Sequence, residues 1–175
     1  MNNIISVVNL EATIIENDKW QVLLEDETCE TSLLSTEEDI DFAITIVPVE
    51  RVLENNSSEL FGRITAISIN NDTDVTQLKP WLNSIELIVL EFPKFTDGRA
   101  YTQAVELRRH LAWKGELRAQ GDVLRDQLSH MYSCGFTSFS IREDKDPAQA
   151  IKGLSGISIQ YANSIKEPKP LFRRR

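Results

Sequence analysis

Cysteine is nearly missing from this chain. Two occur in 175 residues, Cys29 and Cys134, and they form no CxxC pair. Two thiolates fall short of the four that an iron–sulfur cluster usually takes, and they build no disulfide framework. Histidine is as scarce: His110 and His130 lie apart, without the close spacing of a helical zinc motif. No metal site is expected. No run approaches the roughly 20 apolar residues of a membrane helix. The start, Met1-Asn2-Asn3-Ile4, lacks the basic flank and apolar stretch of a secretory signal. We therefore expect a cytoplasmic protein that does not touch the membrane. The GxGxxG fingerprint, the Walker P-loop, GxSxG and paired histidines are missing too, so the residues name no cofactor.

Basic side chains are almost absent from the first third. Residues 1–60 hold 14 acidic and 2 basic side chains; residues 61–175 hold 13 and 17. A segment of net −12 thus precedes one of net +4, and the chain totals −8. That balance argues against nonspecific nucleic-acid binding, which depends on neutralising phosphates. The acidic segment serves solubility or faces a basic partner. The apolar fraction, 41%, suits a folded domain with a core.

Residues 4–24 read as three short strands, at 4–8, 13–15 and 20–24. Asn17-Asp18 is read as the turn of a hairpin between the second and third. Residues 25–41 are acidic and irregular. Phe42 to Val49 reads as a strand that Pro48 ends. From residue 64 strands and helices alternate. Strands are expected at 64–69, 87–92, 116–120, 136–142 and 157–161. Helices are expected at 73–82, at 98–113, after Asp122, and after Asp146-Pro147, with Gly115 and Gly135 as stops. Alternation of this kind implies an α/β fold with a mostly parallel sheet of four or five strands. In the later strands polar and apolar residues alternate, as in Glu116, Arg118 and Gln120 against Leu117 and Ala119. One face is therefore apolar and the other polar. This favours helices on one face and a curved sheet resembling part of a (β/α) barrel, preceded by a small antiparallel β segment. A doubly wound open sheet is the alternative. The divisions are an acidic β-rich segment at 1–60, an α/β core at 61–162 and a basic flexible tail at 163–175, within one folded domain.

Ligands of parallel sheets bind beyond the C-terminal strand ends. Those ends carry Asp97, Gly98 and Arg99, then Arg118, Gly121 and Asp122, then Arg142. Arginine forks and helix starts both suit oxyanions. Arg99, Arg118 and Arg142, with Gly98, Tyr101, Gly121 and Gln127, are the candidate binding residues for an anionic small molecule. Asp97, Asp122 and Asp126 are the candidate acid–base groups. The competing reading makes Asp97, Asp122 and Asp146 helix caps, and pairs the arginines with Glu91, Glu116 or Glu143. Cys134, at a helix end that disfavours a thiolate, reads as structural.

Three stretches carry a resemblance. They are Phe92-Pro93-Lys94-Phe95-Thr96-Asp97-Gly98-Arg99-Ala100-Tyr101, Gly115 through Leu128, and Cys134-Gly135-Phe136. Over about residues 60–161 the chain resembles the bacterial family catalogued as domain of unknown function 934. The motif residues are Asp97, Gly98, Arg99, Tyr101, Glu116, Arg118, Gly121, Asp122, Asp126, Gln127 and Cys134. The resemblance implies a link to assimilatory sulfite reduction, an oxidoreductase label, and the sulfite reductase hemoprotein as partner. Sulfite reduction moves six electrons, and no redox centre of the chain's own is legible. An accessory protein that binds an anion at the strand ends is the expectation. An enzyme acting on an anionic metabolite, or a docking module without catalysis, are the alternatives.

Overall fold

The computed structural model describes residues 3–8, 11–22, 41–54, 62–154 and 161–174. Within them the chain forms one eight-stranded sheet, curled and open like half of a barrel. The strands β3 (Gln21–Val22), β4 (Thr45–Pro48), β5 (Ala66–Ile69), β6 (Leu87–Phe92), β7 (Glu116–Gly121) and β8 (Ser138–Ser140) run parallel. β1 (Ile4–Val8) pairs antiparallel with β8 and carries β2 (Glu11–Ile15) antiparallel on its other side. The order across the sheet is β2-β1-β8-β7-β6-β5-β4-β3.

Alternation along the strands sorts the side chains. On one face Val47, Ile67, Ile88, Leu90, Leu117 and Phe139 join a single core. The four helices α1 (Val49–Glu54), α2 (Arg99–Arg109), α3 (Leu128–Cys134) and α4 (Pro147–Ile151) bury residues in that same core: Val52, Leu107, Met131 and Ala150 are examples. The helices therefore lie on one face, and the doubly wound alternative does not apply. The other face carries Ile46, Ala66, Leu87 and Val89 under Trp20, a separate apolar cluster. Beside it lie Glu116, Arg118 and Ser138, in register with Leu87, Val89 and Arg118 of the neighbouring strands.

The N-terminal hairpin differs from expectation. It joins β1 to β2, and β3 lies at the opposite edge of the sheet. Residues 16–20 are thus a strap across the polar face, not a turn between paired strands. The strap has anchors that a hairpin would waste. Asp18 meets Arg118, Lys19 Nζ reaches Glu86 Oε2 at 3.2 Å, and Trp20 covers the apolar cluster.

Other boundaries shift for local reasons. The helix expected to run to 113 ends at Arg109. There the Arg108 side chain turns back to donate to the Trp113, Gly115 and Gly135 carbonyls at 2.9, 2.9 and 3.0 Å. Gly115 is not a helix stop. It opens β7 so close to β6 that a Cβ would sit 2.7 Å from the Glu86 carbonyl oxygen. Gly135 does close α3, in the left-handed conformation at φ 105°. Pro48 ends β4 as expected, but α1 follows at once. The segment 73–82 holds a 3₁₀ turn, Val75–Leu78, in place of an α-helix. The strand expected at 157–161 falls, apart from Tyr161, outside the described residues. In the tail, Ile165 N–H donates to the Ser133 carbonyl at 3.0 Å, and Lys166 lies over the Tyr132 ring.

Candidate functional site

The loops following the parallel strands meet at one rim, where most of the predicted residues lie. Asp97 precedes α2, and Gly98 is the N-cap. Asp97 Oδ1 accepts the Arg99 backbone N–H at 3.1 Å and Arg99 Nε at 3.0 Å; Oδ2 accepts Arg99 Nη2 at 2.7 Å and Asn71 Nδ2 at 2.6 Å. Arg99 Nη1 donates to Asp72. The Arg99 side-chain bonds hold the Asp97 carboxyl well below the usual carboxylate range. Asp97 is an ionised acceptor and no proton donor at neutral pH.

Arg142 repeats the arrangement. Its Nη1 donates to Asp122 Oδ1 at 2.9 Å, and its Nε and Nη2 bind Asp144 at 2.6 and 2.9 Å. The pairing lowers the Asp144 pKa and raises that of Arg142. The carboxylates that take up Arg99 and Arg142 are therefore aspartates of the loops, and the expected partners Glu91 and Glu143 are not among them.

Asp122 does not cap the helix that follows it. Leu124 stands at that position, where Gln127 Oε1 accepts its N–H at 3.2 Å. Asp122 Oδ2 instead accepts the Phe95 N–H at 3.0 Å, and Gln127 Nε2 donates to the Phe95 carbonyl at 3.1 Å. Both polar groups of the Phe95 backbone are thereby clamped by the β7–α3 loop. Gly121 makes the clamp possible. It adopts φ +102°, and a Cβ there would lie 2.4 Å from the Phe92 carbonyl oxygen. Only glycine lets the chain pass so close that Asp122 N–H donates to that oxygen at 2.8 Å. Phe95 is left 55% exposed. We predict that Asp122→Ala costs about 1–3 kcal/mol, because it strips a charged acceptor from an amide and a partner from Arg142. Hydrogen exchange of the Phe95 amide should accelerate sharply, and unchanged exchange would remove Asp122 from the clamp.

Arg118 is elsewhere. Its side chain is 3% exposed under the strap. Nη1 and Nη2 donate to Asp18 at 2.5 and 3.2 Å, and Nη2 also to Glu116 Oε1 at 3.0 Å. Ser138 Oγ donates to the same Glu116 oxygen at 2.6 Å. Glu116 and Ser138 begin their strands, so the guanidinium points away from the rim. The three arginines do not share a pocket. Alternation puts Arg118 on the polar face, where it lies, but does not tell that its side chain turns toward the starts of β7 and β8 to meet Asp18 of the strap.

Asp126 stands between two cavities: one shared with Asp144 of the rim, and a groove of about 650 Å³ between α2 and α3, lined by Val105, Arg109, Asp126, Ser129, His130, Cys134 and residues 161–165. The Tyr101 ring lies 4.9 Å from that of His130, and Cys134 Sγ is 3.9 Å from His130 Nε2. Burial pushes the Tyr101 phenol up to about 12, with Cys134 and Asp126 adding to the effect. Burial also raises the Cys134 thiol, against the pull of Arg109. Both groups stay protonated at neutral pH, in keeping with a structural Cys134. His130 was not among the predicted site residues. The signal was its place four residues before Cys134 on α3, one helical turn away. Among the described residues no group of three or more His, Cys, Asp or Glu is placed to hold a metal ion, and no helix is long and apolar enough to cross a membrane.

The family model described as bacterial protein of unknown function (DUF934) matches residues 66–172. The chain belongs to that family. No curated protein matches it. The matched span takes in the Phe95 loop, its clamp and the α2–α3 groove, and leaves the strap outside.

Proposed function

We propose that this member of the family is an accessory component of assimilatory sulfite reduction that works by docking on a partner protein, the sulfite reductase hemoprotein. One observation carries the docking role. The motif residues Gly121, Asp122 and Gln127 are spent on fixing a loop, and that loop holds an aromatic ring out in solvent. A preordered aromatic loses little entropy on binding, and aromatic side chains are over-represented among the residues that dominate protein interfaces. The resemblance of the motifs supports the choice of partner. An anion pocket at the same rim gains no such support, since Arg99 and Arg142 each engage two carboxylates. The aspartates proposed as acid–base groups divide in the same way: Asp97 and Asp122 are committed to the loops, and Asp126 lies in the groove.

The test is direct binding of the purified chain to the hemoprotein. Phe95→Ala should leave stability unchanged, because the ring is exposed, yet weaken the complex by about 30-fold or more, the scale of an interface anchor. Equal affinity of the variant and the wild type would sink the docking role of this loop.

A further inference from the structure

The α2–α3 groove is distinct from the Phe95 loop, and its charges are arranged differently from those of the rim. Arg109 enters no ion pair and no side-chain hydrogen bond among the described residues, and neither does Asp126. Both line the same cavity, with Val105, His130 and Ile165 among the residues around it. They stand toward opposite ends. Arg109 is the last residue of α2 and lines the cavity with Cys134, the last residue of α3, whereas Asp126 lies just before the first turn of α3. Eight residues separate 126 from 134, through the 3₁₀ turn Arg125–Gln127 and then α3, on the order of 12–13 Å at 1.5–2 Å per residue. A single amino acid is too short to satisfy both charges. Three extended residues span about 10–11 Å.

We infer that this groove binds a short zwitterionic peptide of about three residues. The free carboxylate meets the Arg109 guanidinium, whose planar fork suits it. The free ammonium meets the Asp126 carboxylate, and the side chains lie on Val105, Ile165 and the His130 ring. The groove retains two opposite charges that the fold leaves unmatched, and such a ligand matches both at once.

Trialanine is the probe, titrated by calorimetry and by the NMR signals of His130 and Val105. Wild type should bind it, and Arg109→Gln or Asp126→Asn should each weaken binding about tenfold or more, the scale of one charge-assisted contact. N-acetyl-trialanine and trialanine amide should bind as weakly. The amide should lose nothing further in Arg109→Gln, and the acetylated form nothing further in Asp126→Asn. Both substituted residues are exposed, so the variants should fold. Phe95→Ala should leave the trialanine affinity untouched, which separates this site from the docking loop. Failure of wild type to bind trialanine, or equal binding of free and blocked forms, would overturn the inference.

Discussion

Arg118→Ala is expected to lower stability by about 3–5 kcal/mol, the cost of breaking a buried ion pair from one side. The loss is a large share of the 5–15 kcal/mol typical of a folded domain. The reasoning is local. Arg118 and Asp18 are 3% and 8% exposed, and their nearest alternative partners are already in use. Without the guanidinium, Asp18 is a covered charge with no counter-ion and Glu116 loses one of its donors. The chain can escape that cost only by lifting residues 16–20 off the sheet. Urea denaturation of the variant should show a lower midpoint. Arg118→Met combined with Asp18→Leu should recover part of the loss, because two apolar groups of similar size tolerate the site better than one stranded charge. A variant as stable as wild type would mean that the strap is not held by this pair.

Trp20→Ala is expected to be similarly costly, about 3–5 kcal/mol, from lost burial and the space left behind. Trp20 is 8% exposed and lies over Ile46, Ala66, Leu87 and Val89, so its removal uncovers apolar surface on three parallel strands. The adjacent bond from Gln21 N–H to the Ile44 carbonyl, 2.8 Å, ties β3 to the loop before β4 and should weaken with it. The two substitutions act on one strap. Their double variant should therefore lose less than the sum of the singles. Full additivity would show that Asp18 and Trp20 are held independently.

The sequence made the alternation of strands and helices legible because local signals agree with the fold there. Leu87 to Phe92 is a nearly continuous apolar run, broken only by Glu91, and Asp146-Pro147 caps α4 as its residues require, with Asp146 Oδ1 accepting the Ala148 N–H at 2.9 Å. Polar and apolar alternation in 116–120 revealed a one-sided helical layer, and that layer is what the core shows. The strap was illegible for the opposite reason. Asn17-Asp18 is a good local turn, and only contacts 67 and 100 residues distant decide against a hairpin. At the candidate site the sequence puts the residues in loops after the strands but does not show which carboxylates the arginines meet. Residues after β-strands and before helices look like ligand groups whether they face a ligand or one another. Asp72 and Asp122, the distant carboxylates that complete the ion pairs of Arg99 and Arg142, come from loops whose approach depends on sheet order. The clamp on Phe95 was equally hidden, since its bonds join residues 27 and 32 positions apart.

The proposed docking role rests on the clamped, exposed Phe95; its competitor, an anion pocket, requires rim guanidiniums that the chain's own carboxylates already satisfy. The most direct measurement is an NMR titration of the arginine Nε–H signals with sulfite, and separately with phosphate, up to millimolar concentrations. The signals of Arg99, Arg118 and Arg142 should stay where they are, with only a uniform drift from ionic strength. Saturable, concerted shifts of all three at one ligand concentration would restore a shared anion pocket and contradict the ion-pair assignment.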